Sequence, residues 1–187
     1  KPFGFMPFYP GPGLGGHCIP IDPYYLKWRA SQFGVDANFI ELAGKINTQM
    51  PNKIVERVSS FAQSFLKKDI HLTKVLLLGM AYKKNVDDVR ESPSFAILKK
   101  LELLGAEVDF YDSSVAIIPV TRDHRDLAGR ESIKWDVGEL SKYDLVIICT
   151  DHDDVNYEAI VENITLVFDT RNVLEKRGIQ AKNIIKL

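Results

Sequence analysis

Three short apolar runs constrain most of what this chain can fold into. Val75-Leu76-Leu77-Leu78, Leu145-Val146-Ile147-Ile148 and Leu166-Val167-Phe168 contain no polar residue. An unbroken apolar run reads as a strand covered on both faces, as in a parallel sheet. Parallel neighbours need crossover connections, usually helical, and helix signals stand between the runs. Ser92 supplies an N-cap, Pro93 the first helical position, and Gly105 lies just past the end. Glu107 to Tyr111 reads as a further strand, ending at Asp112. Gly138–Lys142 and Asp154–Glu162 read as helices, and Ile184-Ile185 as an edge strand. The span from Ser113 to Asp136 has weak periodicity and yields no element. The alternation of strand and helix predicts a Rossmann-like, doubly wound α/β domain over residues 69–187.

Upstream the pattern becomes helical. Ile40, Ala43, Met50, Ile54, Val58, Phe61 and Phe65 recur at steps of three and four, with Asn47 in the one gap. Leu42, Ile46, Val55, Ala62 and Leu66 widen that face. The stripe keeps phase across Pro51, which favours one kinked helix from Asn38 to Leu66 over two helices. So wide a face needs more than one neighbour. It packs against its own domain, or against a second copy with Asn47 fixing the register. Lys67-Lys68-Asp69 breaks the stripe and marks the boundary between residues 1–68 and 69–187.

The segment Tyr9-Pro10-Gly11-Pro12-Gly13-Leu14-Gly15-Gly16-His17-Cys18-Ile19-Pro20-Ile21-Asp22-Pro23 is rich in glycine and proline around one thiol. Its composition opposes helix and sheet, with a short helix expected only from Tyr24 to Phe33, started by Asp22 and Pro23 and ended by Gly34. Cys18 in such a loop suits a nucleophile. A buried, inert cysteine in a Gly/Pro turn is an equally available reading, since free cysteine behaves mostly as a small hydrophobe.

The run Gly13-x-Gly15-Gly16-His17-Cys18-Ile19-x-x-Asp22-Pro23 resembles the catalytic-cysteine segment of the nucleotide-sugar 6-dehydrogenases, the UDP-glucose/UDP-N-acetylhexosamine dehydrogenase family. Tyr82-Lys83-Lys84-Asn85, Arg90-Glu91-Ser92-Pro93 and Asp169-Thr170-Arg171-Asn172 continue the resemblance along the chain. His17 and the run Phe8-Tyr9-Pro10-Gly11-Pro12-Gly13 are more like the branch acting on UDP-N-acetylglucosamine or UDP-N-acetylmannosamine. The resemblance implies oxidation of a C6 alcohol to a carboxylate in two hydride transfers to NAD, through a thiohemiacetal and a thioester on Cys18. It implies Asp22 as the group that orients the hydrolytic water, and Phe8, Tyr9, Pro10, Gly11, Gly15, Tyr82, Lys83 and Arg171 around the UDP-sugar. Arg90 would reach the NAD pyrophosphate, and the helix 38–66 would pair across a two-fold axis as a homodimer. Members also carry an N-terminal NAD-binding domain, which this sequence does not show, so the chain is expected to be a C-terminal part that is inactive alone. A role in polysaccharide precursor synthesis follows from the same resemblance.

The residues themselves leave other assignments open. The loop from Gly79 to Asn85 is not G-x-G-x-x-G, so a second ordinary dinucleotide site is not expected. Lys83 and Lys84 suit a diphosphate or are solvated surface charges. Arg90 precedes a helix N-terminus or pairs with Asp87 or Asp88. His152 stands among Asp151, Asp153 and Asp154, and acids at a helix N-terminus explain that cluster better than a metal. A net charge of −1 gives no field for nucleic acid or a membrane surface, and no apolar run nears the ~20 residues of a membrane span. Two distant cysteines form no disulfide framework and fit a reducing, cytoplasmic setting. The alternative to an enzyme is a non-catalytic nucleotide-sugar-binding and dimerisation module. A cysteine hydrolase would need a partner motif that His17, His71, His124 and His152 do not supply.

Overall fold

The computed structural model describes residues 8–187. Two helices lead, α1 (Cys18–Ser31) and α2 (Asn38–Phe61), the second running on through a π-type turn, Ala62–Leu66. Then follow β1 (Lys74–Leu78), α3 (Pro93–Leu103), β2 (Glu107–Tyr111), α4 (Val137–Leu140), β3 (Leu145–Ile148), α5 (Tyr157–Asn163), β4 (Leu166–Asp169), α6 (Val173–Lys176) and β5 (Ile184–Lys186). The five strands form one sheet in the order β2-β1-β3-β4-β5, with every pair parallel. The expected α/β class and parallel sheet are therefore what the chain adopts.

The unbroken apolar runs find cover on both faces. Val75, Leu77, Val108, Phe110, Leu145, Ile147, Leu166 and Phe168 point to one layer, closed by α3 and the second half of α2. Leu76, Leu78, Val146, Ile148 and Val167 point to the other, closed by α4, α5 and α6. Each buried Leu or Ile side chain contributes about 1.5–3 kcal/mol, so both layers are needed. Ser92 caps α3 by accepting the Ser94 N–H, with Pro93 in the first turn, as its sequence signals.

Two helix starts are corrected, and the alternatives left open for α2 are resolved for its later turns. Helix α1 starts at Cys18, six residues before Tyr24. Pro20 falls in its first turn, where backbone N–H groups have no helical acceptor, so its missing donor costs nothing there; Pro23 lies inside the helix. Next, α2 does pass through Pro51, but Ile54, Val55 and Val58 are buried in this chain's own core and Phe61 packs on Phe168. Of the stripe, Leu42 and Ile46 in the first half and Phe65 at the end are left exposed, with Phe39 exposed beside the first two. Finally, α5 starts at Tyr157 because Asn156, not one of the aspartates, caps it through the Ala159 N–H. The span without periodicity covers the outer edge of β2. Ile133 N–H donates to Phe110 C=O, and the Arg130 guanidinium donates to Val108 C=O.

The strand order reverses between β1 and β3, and there the loops are tied by one carboxylate. Asp112, just past β2, is 4% exposed. Its Oδ2 accepts from the Met80 and Ala81 N–H groups at 2.6 and 2.9 Å and from His152 Nε2 at 3.1 Å. Its Oδ1 accepts from the Ser114 and Val115 N–H groups at 2.8 and 3.0 Å. Burial would raise the carboxyl pKa, but the His152 bond and the backbone donors outweigh it and hold it below the ordinary value. A carboxyl depressed by folding stabilises above its unfolded pKa, and that contribution is lost as pH falls through the folded value. Asp112→Ala should cost roughly 3–5 kcal/mol, because buried donors are left unpaired. In urea titrations, wild type should lose stability below about pH 4, and the variant should show less of that acid loss.

Candidate functional site

Gly11, Gly15 and Gly16 lie against Arg171, Tyr82 and Arg90, in the loops that follow the carboxyl ends of β4 and β1, where open α/β sheets bind ligands. Two contacts seat the segment. Gly16 N–H donates to Arg90 C=O at 2.8 Å. Gly15 approaches so closely that a Cβ there would lie 2.4 Å from Tyr82 Cβ and 3.0 Å from Glu91 C=O. Only glycine allows this approach. Glu91 itself holds a left-handed φ of +52°, a conformation unfavourable for a residue with a side chain.

From this seat the chain enters α1, whose first residue is Cys18. The thiol is exposed. Asp22 lies four residues on, so the helix sets it beside Cys18 on one face. Arg90 lies within electrostatic reach of both Cys18 and Tyr82. Its Nε and one terminal nitrogen fork onto Asp88, at 2.9–3.0 Å and 2.6 Å. The local pair that the sequence allowed is therefore formed, and it holds the guanidinium charged. The other terminal nitrogen has no partner among the described residues.

A second group gathers at the other end of the segment. The Arg171 N–H donates to Asp169 Oδ1 at 2.9 Å, and its Nε to Asp151 Oδ1 at 3.2 Å. Its terminal nitrogen lies against Gly11, 2.4 Å from where a Cβ would stand. Lys176 Nζ sits 4.4 Å from the Tyr9 ring centroid, a cation–π contact that draws a lysine to this edge. The sequence offered no signal for Lys176, which follows from the short helix α6. Phe8 and Pro10 are exposed. Lys83 is exposed and unpaired among the described residues, whereas Lys84 is held by Asp153 at 3.0 Å.

The structure thus joins Tyr9, Gly11 and Arg171 in one group, and Gly15, Tyr82 and Arg90 in another near Cys18. Lys83 stands free of both, and Asp22 lies one helical turn from Cys18 on α1. Between β1 and β3 the chain fills its own crevice. Asn85 N–H donates to His152 Nδ1 at 3.0 Å, so the ring proton sits on Nε2, facing Asp112. His152 is therefore an internal tie. The acids around it also have partners: Asp151 holds Arg171, Asp153 holds Lys84, and Asp154 accepts from Ser113. No metal-ligating cluster occurs among the described residues. Two hollows flank the segment. One of about 410 Å³ is lined by His17, Arg90 and Arg122, and one of about 600 Å³ lies between α1, α2 and α3. Cys18 lines neither.

Comparison with known proteins places the chain in a family. Residues 76–176 match the UDP binding domain of the UDP-glucose/GDP-mannose dehydrogenase family, and residues 1–49 match its central domain. The chain belongs to this family. A UDP-N-acetyl-D-mannosamine dehydrogenase of Methanocaldococcus jannaschii is 33% identical over 177 residues, 89% of this chain and 36% of the relative. A UDP-N-acetyl-D-glucosamine 6-dehydrogenase of Salmonella typhi is 30% identical over 152 residues, 80% of this chain and 33% of the relative. The structure of a UDP-D-ManNAc dehydrogenase from Pyrococcus horikoshii superposes with a TM-score of 0.74 at 26% identity, over 98% of this chain and 40% of that one. The chain thus spans about a third of the length of these dehydrogenases.

The two thiols of this family member differ sharply. Burial pushes the Cys149 thiol up to about 12, against a smaller opposing effect of Ser94, whereas Cys18 is exposed. Thiolate is the reactive form. Iodoacetamide at neutral pH should therefore label Cys18 in the native chain and spare Cys149, as read by peptide mass spectrometry. Both should react after denaturation. Native labelling of Cys149 with Cys18 spared would contradict the placement of the two.

Proposed function

We propose that this chain is the C-terminal part of an NAD-dependent UDP-sugar 6-dehydrogenase, with Cys18 as its nucleophile. The observation that carries this reading is the exposed thiol at the end of a glycine segment seated on Tyr82 and the Arg90-Glu91 turn, at the carboxyl ends of the strands. The names of the relatives favour an N-acetylated UDP-hexosamine as substrate. In this reading residues 1–68 carry the cysteine and the helical pairing surface, and residues 69–187 bind the UDP-sugar. The product would serve polysaccharide precursor synthesis in the cytoplasm.

Arg171, pre-oriented by Asp151 and Asp169, offers a planar fork for a phosphate. Lys83 adds an unpaired charge, and Tyr9 with Phe8 an aromatic surface for the nucleotide. Gly11 leaves room beside the Arg171 fork, and Pro10 stiffens the segment that covers it. Cys18 then faces C6. Its thiolate adds to the C6 aldehyde and keeps that carbonyl bound as a thiohemiacetal, and a thioester follows when its second hydride leaves. Water, oriented by Asp22, cleaves the thioester to the carboxylate and returns the thiol. Bound NAD supplies the hydride acceptor for each oxidation. Arg90 fits that cofactor through its unpaired terminal nitrogen, which suits a pyrophosphate oxygen.

In the full-length protein, Cys18→Ser should abolish acid formation while leaving UDP-sugar affinity intact, and wild type should form two NADH per acid. Wild-type turnover by Cys18→Ser would refute the covalent route. A binding module would consume no NAD in either form.

The 187-residue chain should bind UDP more tightly than NAD in calorimetry. Arg171→Ala should weaken UDP by at least about tenfold, because a hydrogen bond to a charged group is worth about 1.5–3 kcal/mol. Tighter binding of NAD than of UDP would count against the assignment.

Pairing of two chains is also part of this reading, through the exposed first half of α2 rather than Ile54 and Phe61. Sedimentation should show a two-chain species, weakened by Leu42→Glu with Ile46→Glu. Ile54→Glu should unfold the chain instead.

A further inference from the structure

Asn47 interrupts the apolar stripe of α2, and its side chain turns to the glycine segment. Its Oδ1 accepts the Leu14 N–H at 2.7 Å. Leu14 lies outside helix and strand, so its N–H has no ladder partner. Gly13 lies in the same notch, where an added Cβ would stand 3.0 Å from Pro93 Cβ and 3.5 Å from Asn47 Oδ1. The segment is therefore tethered twice before Cys18: at Leu14 by Asn47, and at Gly16 by Arg90 C=O.

The two tethers come from different elements. Arg90 belongs to the loop between β1 and α3. Asn47 belongs to α2, whose later turns are fixed in the core by Ile54, Val55 and Val58. With glycines at positions 13, 15 and 16, the segment has little stiffness of its own around these points. Without the Asn47 bond, the segment before Cys18 keeps its seat at Gly15 and Gly16 but loses its hold at Leu14. We propose that Asn47 is a positioning residue for the reaction: by holding Leu14 N–H it sets where the Gly13–Gly16 segment delivers Cys18. This rests on the reading of Cys18 as nucleophile. It also gives Asn47 an acceptor duty within the chain, in place of fixing register between two copies.

The bond is exposed, so once it is lost water can take its place at Leu14 N–H and global stability scarcely changes. The reacting geometry is less tolerant, since a misplacement of about 1 Å can lower a rate on the order of a hundredfold. In the full-length protein, Asn47→Leu should lower kcat about ten- to a hundredfold with KM for the UDP-sugar and the melting temperature nearly unchanged. Asn47→Asp keeps an oxygen acceptor in place and should restore most of kcat. Hydrogen exchange of the Leu14 amide should speed up in Asn47→Leu and stay slow in Asn47→Asp. Wild-type kcat with fast Leu14 exchange in Asn47→Leu would overturn the inference. So would an Asn47→Asp variant as slow as Asn47→Leu, or unchanged Leu14 exchange in both. Should Asn47→Leu melt early, Asn47→Ala replaces it with the same expectations. Cys18→Ser separates the two readings. If it turns over normally, the nucleophile assignment has failed; if it is inactive while Asn47→Leu is fully active, only the positioning role has failed.

Discussion

The carboxyl edge of the sheet depends on the buried Asp112 carboxylate. Four backbone N–H groups and one imidazole converge on its two oxygens. Those donors come from the loops after β1, β2 and β3, so one side chain fixes the relative height of all three. Unpaired, the same carboxylate would be expensive to bury; fully bonded, it is a rigid hub. His152 extends the hub to Asn85, and Thr150 ties the same loops by donating to Ala81 C=O at 2.6 Å. Tyr82 and Arg90 stand on this frame, and the glycine segment is laid on them.

The cysteine is thus reached through a chain of supports rather than by one motif. The apolar layers hold the sheet, Asp112 holds the loops, and the loops and α2 hold the segment that ends at Cys18. Arg171 reaches the same segment from the other side, oriented by Asp151 and Asp169. A candidate site supported in this way draws its residues from most of the sequence.

Much of this was legible locally. The apolar runs became strands because nothing polar interrupts them, and α3 began where Ser92 and Pro93 said it would. The thiol and Arg171 stood out through the residues around them. What could not be read depends on contacts distant in sequence. Nothing in Tyr111-Asp112-Ser113 shows a carboxylate that collects donors from positions 80 and 152. The span 113–136 has no period because an isolated antiparallel bridge, Ile117 to Glu131, a single short turn and a few hydrogen bonds to the edge of β2 set its path. The stripe of α2 showed a wide apolar face, but not that Ile54 and Phe61 belong to the chain's own core. Asn47 reads as a register residue for two copies because its partner within the chain, Leu14, lies 33 residues earlier. Pro20 does not delay the start of α1, because in the first turn its missing donor costs nothing; Pro23, further along the same helix, gives no sequence sign of being tolerated.

The central claim is that the glycine segment and the strand ends form one site, with the nucleotide held at Arg171 and the sugar at Cys18. A crystal structure of the full-length protein with its UDP-sugar tests this most directly. The diphosphate should lie against Arg171 and Lys83, with the sugar C6 in contact with Cys18 Sγ. A nucleotide bound elsewhere, or a C6 turned away with Cys18 left facing solvent, would contradict it.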